Sequence, residues 1–141
     1  MATIKEDYVS FETAKLLKEK GFNIPLLTFY VTDKEKKEGD FQTMYFGDDV
    51  IDNNHSELCF IAPTQAMAMK WLREVHNIHI ELNWEKGNQL YSFQIWKPGK
   101  FRPEISSLDL WRIYKDDNYL GEWNYEQACE AAVLYCLKHL I

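Results

Sequence analysis

The stretch APTQAMAMKWLREVHNIHIEL, Ala62 to Leu82, holds a helix start, a helix body, a helix stop and the strand that follows. Thr64 is placed to cap the helix, its hydroxyl taking up a free amide of the first turn, and Pro63 opposes an earlier start. Ala68, Leu72 and Val75, with Trp71 beside them, form an apolar stripe at helical spacing. Asn77 suits the left-handed conformation that ends a helix. Beyond it Ile78, Ile80 and Leu82 alternate with His79, Glu81 and Asn83, the period of a half-buried strand. A helix feeding directly into a strand sets the architecture and leaves the chemistry open.

Two further helices follow from the same rules. Ser10 caps a helix over Phe11 to Lys20 that Gly21 stops, with Phe11, Ala14, Leu16 and Leu17 on its buried side. Asn124 and Gln127 form a capping box for a helix over Tyr125 to Leu140. Its stripe runs Tyr125, Ala128, Cys129, Ala132, Val133, Cys136, Leu137 and Leu140, and its small residues predict close packing.

Between the helices the pattern is that of strands. Leu26 to Thr32 and Phe41 to Phe46 flank the charged loop DKEKKEGD as a hairpin, and Glu57 to Ala62 is a short apolar run. Ile78 to Trp84 and Gln89 to Trp96 form a second hairpin, KPGKFRPE is a connection, and Leu110 to Lys115 with Tyr119 to Trp123 read as a third. The expected order is α-β-β-β-α-β-β-β-β-α, an α+β fold of three helices on one largely antiparallel, two-layer sheet, with residues 1–141 as a single globular domain.

Composition narrows the function. The chain is 46% hydrophobic and 15% aromatic, which argues against disorder, and its net charge of −6 lowers the expectation of nucleic-acid binding. No secretory signal or run long enough to span a bilayer is read, so the expected location is cytoplasmic, with no membrane partner. The three cysteines, Cys59, Cys129 and Cys136, lack metal-site spacing and read as buried, reduced thiols.

Metal and catalytic motifs are wanting. His76 and His79 straddle the change from helix to strand, so His76, like His139, is read as a cation at a helix C-terminus. GDDVIDNNHSE lacks the central glycine and alternating oxygens of a calcium loop and reads as a solvated loop. There is no nucleophile elbow, phosphate loop or dinucleotide fingerprint, so the expectation is a non-enzymatic protein with no cofactor, no metal and no catalytic residue. An enzyme of unknown chemistry is the third-ranked alternative.

The aromatic content points to surfaces. Five Trp, eight Tyr and eight Phe exceed what one small core absorbs, and helices cover only one face of a two-layer sheet. LLTFYVT sets Leu27, Phe29 and Val31 against Leu26 and Tyr30. NQLYSFQIW sets Tyr91, Phe93 and Ile95 against Leu90 and Trp96. The expected interaction surface comprises Tyr30, Leu90, Trp96, Trp111 and Tyr114, serving a protein partner or self-association, most simply a homodimer. The alternative is single-stranded nucleic acid held by Lys97, Lys100, Arg102 and Arg112 beside their aromatic neighbours, weighed down by the acidic balance of the chain.

The segments DYVSFETAKLLKEKGF (Asp7–Phe22), APTQAMAMKWLREVHNIHI (Ala62–Ile80) and NYEQACEAAVLYCLKHLI (Asn124–Ile141) together resemble a family of small uncharacterised proteins encoded in bacterial genomes and their phages or mobile elements. The resemblance implies a small cytosolic accessory protein and carries no activity, ligand or catalytic residue onto any position.

Overall fold

The computed structural model describes residues 4–32, 44–87, 90–120 and 123–141, with the side chains of Asn118 and Leu120 left aside. The charged loop DKEKKEGD and the first three residues of the expected strand at Phe41 lie outside these, as do Gln89 and residues 121–122. The fold is α+β, and its contacts divide the chain into two compact units, Met1–Met67 and Ala68–Ile141.

The first unit holds α1 (Phe11–Glu19), β1 (Leu26–Val31), β2 (Met44–Ile51), β3 (Cys59–Ile61) and the first turn of α2 (Gln65–His76). Ser10 caps α1 by accepting from the Thr13 amide. Gly21 ends it at a φ of 92°, where the Phe22 amide donates back to the Leu17 carbonyl, a turn that a side chain at Gly21 would strain. Central β1 pairs antiparallel with β2 and β3. Tyr30 and Phe60 are register partners, and Phe11 of α1 meets both rings edge-on at 5.7 and 5.4 Å. That contact ties helix to sheet. The segment before α1 is pinned as well, with Val9 donating to Pro63 and Gln65 to Asp7.

The acidic stretch departs from the solvated loop expected of it. Met44 to Ile51 is a strand, and Asn53 is buried, its side chain bridging the Phe22 carbonyl and the Ile61 amide. The turn is confined to residues 52–58, between β2 and β3.

The second unit contains the rest of α2, β4 (His79–Glu85), β5 (Leu90–Trp96), β6 (Ile105–Ser106), α3 (Ser107–Tyr114), a 3-10 turn (Asp117–Leu120) and α4 (Tyr125–His139). Thr64 caps α2 through the Met67 amide, and Asn77 closes it at a φ of 56°. Ala68, Trp71 and Leu72 are buried as the stripe requires, whereas Val75 is 61% exposed. β5 is central to an antiparallel sheet in which Ile80, Leu82 and Trp84 face Ile95, Phe93 and Tyr91. This apolar face lies beneath α4, whose capping box forms between Asn124 and Gln127. Tyr125 and Leu140, expected in the α4 stripe, are 47% exposed and half-buried respectively, because they sit at the helix ends.

Three expectations about architecture are corrected. In place of a single two-layer sheet, the described residues form two three-stranded antiparallel sheets. Four α-helices, not three, occur among the described residues. The last hairpin is replaced: Leu110 to Lys115 falls mostly in α3, Tyr119 lies in the 3-10 turn, and among the described residues of Tyr119 to Trp123 only Trp123 makes a bridge, with Tyr91. Trp111, Ile113 and Tyr114 carry strand propensity, but a capping box between Ser106 and Asp109 nucleates the helix, and buried Ser107 and Leu110 define its inward side.

Candidate interaction surfaces

Of the five residues expected on an interaction surface, the structure withdraws one. Tyr30 is buried, with its hydroxyl donating to the Val9 carbonyl at 2.7 Å, because α1 covers its face of the first sheet. Leu90 and Trp96 are half-buried on the polar side of the second sheet, where the Trp96 indole donates to Glu81 at 3.1 Å. Trp111 is half-buried, its indole bonded to Asp117 and its ring under the Lys115 ammonium at 5.0 Å. Tyr114 is half exposed and stacks on Tyr119 at 6.1 Å. The survivors are scattered and mostly satisfied by their own neighbours.

The sharper surface lies in the first unit. A groove of about 390 Å³ is bounded by Tyr8, Leu26, Phe46, Val50, Pro63 and Met67, with Thr28 among its lining residues. The Thr28 hydroxyl is spent on the Ala62 carbonyl at 2.6 Å, so it adds little polarity. Phe46 is 67% exposed and Val50 59%, and Tyr8 braces Phe46 edge-on at 5.8 Å. Such exposure is costly for a solvated strand and useful to an interface.

Backbone geometry shapes the rim. Thr28 opposes Phe46 and Leu26 opposes Ile51, so the four residues Gly47 to Val50 bulge out against Leu27 alone. Gly47 allows this: a Cβ there would sit 3.1 Å from the Phe29 ring and 3.3 Å from the Asp49 carbonyl oxygen. The bulge carries exposed Asp48 and Asp49 between the two apolar side chains. Among the described residues β2 pairs with β1 and with no strand on its other side. Sequence reasoning missed this surface, although an apolar pair bracketing GDD was its visible signal.

Two members of the basic cluster, Lys100 and Arg112, are paired with acids. Lys100 pairs with Glu104 and holds that carboxyl below its ordinary range, chiefly through their hydrogen bond. Arg112 stands 3.8 Å from Asp109. Lys97 is half-buried, whereas Arg102 and Phe101 are exposed beside a shallow hollow of about 940 Å³. Glu104 and Asp109 line the same hollow, so the patch carries both signs of charge.

The remaining chemistry is quiet. On the polar side of the second sheet, Asn83, Glu85, Ser92, Gln94 and Ser106 line a hollow of about 450 Å³, where the Ser92 hydroxyl donates to Glu85 at 2.8 Å. Burial pushes the Cys136 thiol up to about 12, where it is a poor nucleophile, and raises Tyr119 and Tyr135. Cys129 is likewise buried, but Cys59 is half-buried, against its expected burial. Among the described residues no three His, Cys, Asp or Glu side chains gather as a metal site. His76 ends α2 as expected, and its ring packs edge-on against Trp71 at 4.6 Å with Nε2 buried. No helix among the described residues is long and apolar enough to cross a membrane.

These features define an α+β protein with an apolar groove beside a strand that is outermost among the described residues. The chain matches no protein-family model, no curated protein and no solved structure.

Proposed function

We propose that this protein is a non-enzymatic interaction factor that binds another polypeptide through the groove and β2 edge of its first unit. The supporting observation is the pair Phe46 and Val50, both well exposed on the wall of an apolar groove. A binding site built on a partly preformed sheet edge loses little conformational entropy on docking. The resemblance to phage and mobile-element proteins supports an accessory, cytoplasmic role. A photo-crosslinking residue at position 46, compared with one at exposed Lys70, tests the proposal in cells. A discrete adduct from position 46 alone, lost on Val50→Asp, supports it; equal adducts from both positions, or none, overturn it. Sedimentation of the purified chain reports whether the partner is a second copy.

A second reading, single-stranded nucleic acid at the Lys97–Arg102 turn, draws on exposed Phe101 between Lys100 and Arg102. Compensation of Lys100 and Arg112 by acids weighs against it. Fluorescence anisotropy with an oligothymidine at low salt decides it, and an unchanged signal removes it.

A further inference from the structure

We infer that the occupant of the groove is an extended, basic–apolar segment of a different polypeptide, laid along β2 with apolar side chains in the groove and Lys or Arg against Asp48 and Asp49. This rests on the proposed interaction role and gives it a partner chemistry. Three observations carry it. The groove walls include Phe46, Val50, Tyr8 and Met67, and no Lys or Arg is among its described lining residues. The strand edge offers backbone groups from Met44 to Phe46, where its pairing with β1 is regular. Asp48 and Asp49 stand exposed between the two apolar anchors, and exposed Asp7 precedes Tyr8, another lining residue, in the chain.

The acids choose between occupants. A second copy would bring its own net charge of −6 to this edge and, in a register centred on the bulge, its own Asp48 and Asp49 against these. The bulge and its carboxylates therefore guard this edge against self-pairing, as charged residues do on exposed strands elsewhere. The same carboxylates attract a cationic strand, so one feature supplies both repulsion and selection. In an extended peptide side chains two apart lie on the same face and neighbours lie on opposite faces. Alternating Val and Lys thus presents one apolar row to the groove while its ammonium groups reach the rim.

The test uses the full chain and three fluorescent peptides of ten residues: alternating Val and Lys, alternating Val and Glu, and alternating Ser and Lys. Anisotropy is read for the wild type, D48N/D49N and Phe46→Ser, with thermal unfolding confirming that each variant is folded. The Val–Lys peptide is expected to bind, and the other two to bind at least about tenfold more weakly. D48N/D49N should weaken Val–Lys binding by about three- to tenfold, the scale of two exposed ion pairs. Salt should do the same to the wild type but much less to the double variant. Equal binding of Val–Lys and Val–Glu, with both lost in Phe46→Ser, overturns the basic–apolar chemistry while leaving the groove as an interaction surface. Equal binding of Val–Lys and Ser–Lys overturns the groove itself. No binding of any peptide, with a sedimenting dimer that Phe46→Ser dissolves, makes the occupant a second copy and overturns the inference.

Discussion

The side chain of Asn53 donates from Nδ2 to the backbone carbonyl of Phe22 at 2.6 Å, joining two segments that are remote in sequence. Its Oδ1 accepts from the Ile61 amide at 3.0 Å, while its own backbone amide donates to Asn23. One buried amide therefore satisfies the turn after α1 and the last residue of β3. Asn53→Ala strands two buried backbone groups and is expected to cost about 2–4 kcal/mol, measured by urea denaturation. Asn53→Asp should be no better, because a carboxylate cannot donate to the Phe22 carbonyl.

Phe46→Ser should separate stability from binding. The side chain is largely exposed, so its removal is expected to change unfolding free energy by less than about 1 kcal/mol. Crosslinking and peptide binding should nevertheless fall sharply. A large loss of stability would assign Phe46 to packing and remove it from the interaction surface.

The helical state of α3 has its own test. Ser106→Ala removes the cap from the Asp109 amide and should destabilise by about 1 kcal/mol. Leu110→Ala, at a buried position, should cost about 2–4 kcal/mol. Backbone chemical shifts over Ser107–Tyr114 should be helical; extended values there would restore the hairpin expected from residue propensity.

The thiols should react unequally. A disulfide reagent at pH 8 is expected to modify Cys59 and spare Cys129 and Cys136 in the folded protein, with all three titrating in denaturant. Cys136 rises from 9.0 to about 12 on folding, so above pH 9 the unfolded chain has released a proton that the folded chain retains. Stability from this group is full below pH 9 and falls as pH rises toward 12, by up to about 1.4 kcal/mol per pH unit. Burial of Tyr119 and Tyr135 acts in the same direction. Urea midpoints measured from pH 8 to 11 should decline; a flat profile would contradict the burial.

Helix ends were legible because their chemistry is local. Ser10, Thr64 and Asn124 cap helices by bonding amides three residues ahead, and Gly21 and Asn77 stop two of them with left-handed backbone. The fourth helix carried the same signal in Ser106 and Asp109, masked by the strand propensity of Trp111, Ile113 and Tyr114. The interaction surface was not legible in the same way. Tyr30 and Phe46 are both aromatic strand residues, yet Phe11 covers one and nothing among the described residues pairs the outer edge of the other's strand.

By itself, then, the amino-acid sequence determined the α+β class, the caps, the stops and the central residues of the apolar stripes of α1, α2 and α4, because these depend on residues within a turn of one another. Only the tertiary structure decided that the described strands form two sheets, that Asn53 is an internal brace and that, among the described residues, β2 lies at an edge. Strand order and register are set by pairings across long sequence gaps, such as Leu26 with Ile51 and Phe29 with Ile61. Those pairings settle which aromatic faces a helix and which faces water.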